Sequence, residues 1–271
     1  MALIRSEVRR LHLFELECVQ HRQPGQEWVP HWHTEWSFGA VIEGECRCSI
    51  NGQPRRIARG DLIAIAPNTV HAGMVGGGAL SRDVLVVMFY VPETWLRHEG
   101  LPTPAACATV ALPDLAARAG AARTAAQARK WLRLALPALQ AAAHQAHTEN
   151  AGPLPTSAEQ KLLKRLGAAA ADGQLRVPEL AARCGVSRER LHRVVKRWIG
   201  LSPSEYLRTA RLHHAKSLLA ATGSPAQAAF ECGFSDQAHF TRWFRKAFGY
   251  TPGDWLRAAP DSAPGSAPDA A

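Results

Sequence analysis

Apolar positions along this 271-residue chain follow two different periods. Between about residues 28 and 90 they fall into short runs, Ser37–Ile42, Cys46–Ile50, Leu62–Ala66 and Val84–Val91. The breaks are Glu43-Gly44, Asn51-Gly52, Arg59-Gly60-Asp61 and Gly76-Gly77-Gly78. Short runs between turn signals predict the strands of a β-barrel or sandwich, and Asn51-Gly52 predicts a tight hairpin. From residue 112 to 147 the chain turns alanine-rich and helix-favouring. Leu132, Leu136, Leu139 and Ala143 recur there at i, i+4, i+7 and i+11, a two-heptad seam suited equally to packing on the barrel or to a helical dimer. Pro137 is expected to kink or divide that helix. Residues 148–156, with Gly152, Pro153 and Pro155, read as a linker. Helical periodicity then runs from 157 to 257, and the Ala/Pro/Asp/Ser tail 258–271 is expected to be disordered. The fold class is therefore α+β with two domains: a β-barrel with following helices over 1–147 and an all-α unit over 157–257.

The second unit contains a repeat. Cys184-Gly185-Val186-Ser187 matches Cys232-Gly233-Phe234-Ser235 at an offset of 48. At an offset of 49, Leu191 falls on Phe240, Arg193 on Arg242, Lys196 on Arg245, Gly200 on Gly249 and Pro203 on Pro252. Each copy reads as helix, Gly turn, helix. Pro178 and Pro225 suit a first helical position. Gly185 and Gly233 supply the turns, where a left-handed backbone is easy only for glycine. Ser187 is placed to cap the second helix of copy one, with Leu191, Val194, Val195 and Trp198 on its inner face. Ser224 with Gln227 predicts a capping box opening copy two, whose last helix buries Phe240, Trp243, Phe244 and Phe248. Between the copies, Ser202-Pro203-Ser204-Glu205 opens a helix that ends near Gly223. Some twenty residues of helix span about 30 Å, close to the roughly 34 Å between successive major-groove faces on one side of B-DNA. The spacing predicts two reading heads one DNA turn apart, on an asymmetric site that needs no dimer for contact.

Charge agrees with a polyanionic partner. The formal net charge is +9, and the excess is local: residues 156–257 carry 17 Lys and Arg against 8 Asp and Glu, whereas 1–155 carry 15 against 13. Such a stripe is what a domain that meets nucleic acid shows. The first residues are interrupted by charge and offer no signal-peptide core. The run Val84–Val91 is too short to span a bilayer. Six cysteines lie scattered without a disulfide framework. A chain without membrane contact, working in the cytoplasm, is expected.

The runs PELAARCGVSRERLHRVVKRWIGLSPSEYL and GFSDQAHFTRWFRKAFGYTP make the stretch Val177–Leu256 resemble the AraC/XylS-type DNA-binding domain along its full length. Two positions depart: Val195 stands where that family usually has Phe, and Ala228 where it usually has Ile. The resemblance implies a bacterial transcription regulator that binds double-stranded DNA, engages RNA polymerase and activates nearby genes, with repression open as an alternative. In a helix-turn-helix the exposed early turns of the second helix meet base edges. In the first unit these positions are Arg188, Glu189, His192, Arg193 and Lys196. Arg193 suits guanine and Glu189 cytosine; the resemblance places base reading at Glu189, His192 and Arg193. In the second unit the set is Gln237, Ala238, His239 and Arg242, with Arg245 aimed at phosphate. Gln237 suits adenine and Arg242 guanine.

The segment HWHTEWSFGAVIEGECRCSINGQPRRIARGDLIAIAPNTVHAG resembles the cupin-like sensory domain that precedes AraC-type DNA-binding units. His31, His33, Gly44, Gly60-Asp61, Pro67 and His71 sit where a cupin keeps its paired His, turns and distal His. Metal-binding cupins usually carry a Glu where this chain has Ser37, although Glu35 is near. Three imidazoles suit a metal with an open position, yet the missing Glu argues instead for a small-molecule effector pocket at the barrel mouth. Its expected lining is His31, His33, Ser37, Cys48 and His71, with no cofactor and no metal assigned. Cys46 and Cys48 alternate onto one face, as pocket lining, as a sensor of oxidant or soft metal, or as plain core thiols. Two rivals stand beside the sensor: a metal-dependent cupin enzyme such as a dioxygenase with a DNA-binding appendage, and an architectural binder with a vestigial pocket. An enzyme is not the expectation.

Overall fold

The computed structural model describes residues 5–11, 14–22, 26–75, 83–149, 155–170 and 175–258. The triple-glycine turn, most of the expected linker and the tail from 259 lie outside the described residues.

Strands β1 (Arg5–Leu11), β2 (Phe14–Arg22), β9 (Asp83–Val91), β4 (Trp36–Glu43), β7 (Asp61–Ile65) and β10 (Ala108–Ala111) form a six-stranded sheet in that spatial order. Strands β3 (Gln26–His31), β8 (His71–Val75), β5 (Glu45–Ile50) and β6 (Gln53–Ala58) form a four-stranded sheet facing it. The four runs read from sequence correspond to β4, β5, β7 and β9. Of these, β4, β7 and β9 stand out because both of their faces are covered, whereas Arg47 on the outer face of β5 is exposed. Phe38, Ala40, Leu62, Ala64, Val87 and Phe89 point outward into a core shared with helices. Val41, Ile63, Ile65 and Val84 point inward into the barrel. Alternation therefore runs from one core to another, and the strands read as continuous apolar runs. The strands that sequence missed include β6, whose residues 53–56 are exposed. Asn51 and Gly52 both adopt positive φ, 51° and 75°, and join β5 to β6 as the Asn-Gly pair predicts.

Helices α1 (Glu93–His98), α2 (Pro113–Ala121) and α3 (Ala125–Glu149) lie on the outer face of the six-stranded sheet. Leu132, Leu136, Leu139 and Ala143 are each fully buried there, alongside Trp131. The Trp131 ring stacks on Phe89 at 4.8 Å, and its indole N–H donates to Leu115 O at 2.7 Å. Of the two uses open to this seam, the structure gives it to the barrel; a dimer would need another face. The helix also runs on through Pro137 undivided, because packing along the whole seam outweighs one missing backbone hydrogen bond.

The C-terminal part is α4 (Ser157–Ala170), α5 (Val177–Cys184), α6 (Arg188–Ile199), α7 (Pro203–Thr222), α8 (Pro225–Glu231), α9 (Gln237–Phe248) and α10 (Pro252–Arg257). It has two cores. Leu162, Leu166, Leu180, Leu191, Val194 and Val195 form the first; Ala228, Phe240, Phe244, Phe248 and Trp255 belong to the second. Helix α7 serves both, giving Leu207 to one and Leu212, Ala215 and Leu219 to the other. Val195 and Ala228, the two departures from the family pattern, are both core residues.

Candidate nucleic-acid interface and sensory cluster

Local chemistry fixes both candidate reading helices at each end. Ser187 Oγ accepts from the Arg190 amide at 3.2 Å and starts α6; Gly200, at φ 83°, ends it. Asp236 caps α9 by accepting from the His239 amide at 2.6 Å, and Gly249 ends it at φ 84°. Gly185 and Gly233 make the turns at φ 67° and 70°. Ser202 and Glu205 form the expected reciprocal box at the start of α7. At α8 only half of the expected box forms. Ser224 accepts from the Gln227 amide, but the Gln227 side chain turns forward to Glu231 at 2.7 Å, a carboxylate acceptor one turn along.

Arg188, Glu189, His192, Arg193 and Lys196 are all exposed on α6, as are Gln237, Ala238, Arg242 and Arg245 on α9. His239 differs. Its Nδ1 lies 3.0 Å from Ser235 Oγ, and its Nε2 accepts from the Trp243 indole N–H at 2.8 Å. Both ring nitrogens are thus engaged inside the motif, and the residue is half-buried. Trp243 in turn carries the Arg208 guanidinium over its ring at 3.9 Å. Helix α7 is 20 residues long, about 30 Å.

In the barrel, three of the five residues expected to line a pocket, His31, Cys48 and His71, line one cavity; His33 and Ser37 are buried but are not part of that lining. His31, His33 and His71 converge, with ring centroids 5.0, 4.4 and 5.3 Å apart pairwise. Ser37 is fully buried opposite Tyr90 on the neighbouring strand, and Tyr90 packs on His33 at 4.2 Å. His31, Cys48 and His71 line a cavity of about 110 Å³ inside the barrel, with Cys46, Trp28, Met88 and Tyr90. Burial holds the His31 and His33 imidazoles well below their ordinary pKa and lowers that of His71 too; their neighbouring rings add to the effect for His31 and His33. Burial likewise pushes Cys46 up to about 12 and Cys48 to about 11.

What sequence reasoning missed is the seam between the two domains. Trp32 stacks on Tyr206 of α7, and its carbonyl accepts from His213 Nε2 of the same helix at 2.7 Å. Phe248, the last residue of α9, lies over His31 and His33 at 6.4 and 5.8 Å between centroids. Arg10 of β1 covers Trp255 of α10 at 4.3 Å. Along the seam runs a cavity of about 840 Å³ whose lining includes Arg10, Glu35, Lys164, His213 and Lys216. No period or motif announces these contacts, since they join positions as far apart in sequence as Arg10 and Trp255.

Among the described residues no helix is long and apolar enough to cross a membrane. Residues 13–183 match the model of the AraC-like ligand binding domain, and residues 180–258 match a helix-turn-helix domain model. The chain is 42% identical over 77 residues to the HTH-type transcriptional activator RhaS of Klebsiella pneumoniae, and 40% identical over 76 residues to RhaS of Escherichia coli strain SE11. It spans under a third of the length of these curated relatives, 28% and 27%. Unsaturated fatty acid-bound ToxT of Vibrio cholerae shares the fold, with a TM-score of 0.60 at 10% identity over 97% of this chain and 100% of that one. The apo form of a ToxT point variant from the same organism gives a TM-score of 0.57 at 12% identity over 92% and 98%. The chain therefore belongs to the AraC family of transcription regulators, joining an AraC-like ligand-binding domain to a helix-turn-helix domain.

Proposed function

We propose that this protein is a sequence-specific, effector-controlled transcription regulator, acting as an activator. One observation carries the reading: two capped helices with exposed basic faces flank a helix whose length matches one turn of DNA. Arg193 and Arg242 are the proposed guanine readers, with Glu189, His192 and Gln237 beside them. Arg188, Lys196 and Arg245 take phosphates. His239, held by Ser235 and Trp243, orients α9 and contributes less to reading. A small molecule bound in the barrel against His31, His33, Ser37, Cys48 and His71 is the proposed signal, transmitted through the Trp32 seam. RNA polymerase is the proposed protein partner, the cytoplasm the proposed location, and no catalysis is assigned. Footprinting on bound genomic fragments tests this: protection of two segments about one helical turn apart on one DNA face, by one chain, is expected. Protection of a single segment sinks the two-headed reading.

A second effector position has its own support. The seam cavity of about 840 Å³ falls within the size range of small-molecule sites, about 300–1,000 Å³. It is bounded by both domains, so an occupant would act directly on their arrangement.

A further inference from the structure

Trp28, Gly73 and Cys48 stand side by side across the four-stranded sheet. Gly73 of β8 pairs with Trp28 of β3 on one side and with Cys48 of β5 on the other. Residues paired in this way share a face, and all three line the cavity of about 110 Å³ inside the barrel. Among the described residues, a Cβ on Gly73 would meet one neighbour within 4 Å, the Trp28 ring at 3.5 Å. The side chain that Gly73 lacks therefore leaves space between an indole and a thiol. Ile63, Ile65, Val86 and Met88 add apolar wall from the facing sheet. Where β3 ends and β8 begins stand His31 and His71. Each Nδ1 lies against a backbone carbonyl, Val29 O at 2.7 Å and Thr69 O at 2.9 Å. A carbonyl only accepts, so each Nδ1 carries the proton and each Nε2 is an acceptor. Burial lowers the pKa of both imidazoles and raises those of Cys46 and Cys48, which leaves all four uncharged near neutral pH. Among the described residues no Lys, Arg, Asp or Glu belongs to the lining.

We infer that the barrel takes a small uncharged aromatic molecule with one hydroxyl donor, a phenol, its ring beside Trp28, Gly73 and Met88 and its O–H donated to Nε2 of His31 or His71. This rests on the barrel being an effector site and specifies the occupant. Size sets the first limit. An apolar cavity of about 150 Å³ holds benzene, so about 110 Å³ with the adaptable Met88 in its wall admits one ring and not two. Charge sets the second, because a carboxylate here would lose its hydration and gain no cation. Hydrogen-bonding capacity sets the third. A sugar brings several hydroxyls to a lining whose polar side chains are few, and each hydroxyl left without a partner is costly. The Met88 thioether, finally, favours contact with an aromatic ring.

Full-length protein is titrated by calorimetry near neutral pH with phenol, toluene, benzoate and glucose. One phenol per chain is expected, about tenfold tighter than toluene, which has the ring without the donor. Benzoate and glucose are expected to give no saturable heat. Gly73→Val, whose branched side chain suits a strand, is expected to weaken phenol binding by about tenfold or more with the circular dichroism spectrum kept. Gly73→Ala, which introduces an ordinary contact and no clash, is expected to weaken it less, so that the loss follows the volume added. Absence of saturable phenol binding up to millimolar concentration overturns the inference, as does equal affinity for toluene. Phenol binding that ignores both substitutions also overturns it, because the ring then sits elsewhere. Benzoate or glucose bound instead, and lost in Gly73→Val, overturns the class named here and leaves the barrel as the effector site.

Discussion

The indole of Trp32, on the loop leaving β3, lies nearly flat on the Tyr206 ring of α7, with centroids 4.6 Å apart and planes 21° from parallel. Helix α7 is thereby held against the sensory domain by contacts that include this pair and the hydrogen bond from His213 to the Trp32 carbonyl. A buried Trp replaced by Ala costs about 3–5 kcal/mol. Trp32→Ala is therefore expected to uncouple the domains, so that a calorimetric trace gains a second, lower transition. A trace superimposable on the parent's would show that the seam does not couple them.

Arg193 and Arg242 occupy equivalent places on α6 and α9, both exposed. Replacing either by Ala should cost roughly 1–3 kcal/mol of operator binding and relax preference at one base pair. Arg245→Ala should instead weaken binding evenly across sequences and lower the salt slope by about one. Gel shifts on a panel of single-base operator variants at several salt concentrations separate the two behaviours. Equal loss on every sequence for Arg193→Ala would remove its base-reading role.

Because α7 is one continuous helix feeding both C-terminal cores, the distance between the heads is fixed. Inserting five base pairs between the two contacted segments should abolish simultaneous contact by rotation. Inserting ten should also fail, since the face is restored but the reach of about 30 Å is not. Full affinity on the ten-pair insertion would mean that the heads are independently mobile.

Leu136 lies fully buried against the barrel in the middle of α3. Leu136→Ala should destabilise the sensory domain by about 2–5 kcal/mol, read by urea unfolding, and leave the oligomeric state unchanged in sedimentation. A shift in sedimentation without loss of stability would return this seam to a subunit interface.

The thiols of Cys46 and Cys48 face the barrel cavity, and burial raises them to about 12 and about 11. A free thiol titrates near 8.5, so Cys48 at pH 8 holds on the order of a hundredfold less thiolate than an unperturbed cysteine. Iodoacetamide followed by mass spectrometry should leave both unmodified in the folded protein and label them after denaturation. Rapid labelling of Cys48 in the native state would revive an oxidant-sensing role.

Sequence alone determined the elements whose cause is local. Gly185, Gly233, Gly200 and Gly249 mark turns and ends because the left-handed backbone they adopt is a single-residue property. Ser187 and Ser202 mark helix starts because a cap reaches only three residues. The repeat exposed two helix-turn-helix units because each must bury the same stripe and leave the same face free. Where local signals allowed two outcomes, tertiary contacts chose: Leu132, Leu136, Leu139 and Ala143 pack on the barrel, and Pro137 is carried within the helix by that packing. The Gln227 side chain, short of a full box, found Glu231. The seam of Trp32, Tyr206, His213 and Phe248 had no sequence signal at all. Its residues meet only after two domains close on each other, and each, taken alone, reads as an ordinary core or surface side chain. The convergence of His31, His33 and His71 lies between these cases. Spacing placed two of them together on one strand end, but only the pairing of β3 with β8 brought the third within 4.8 Å.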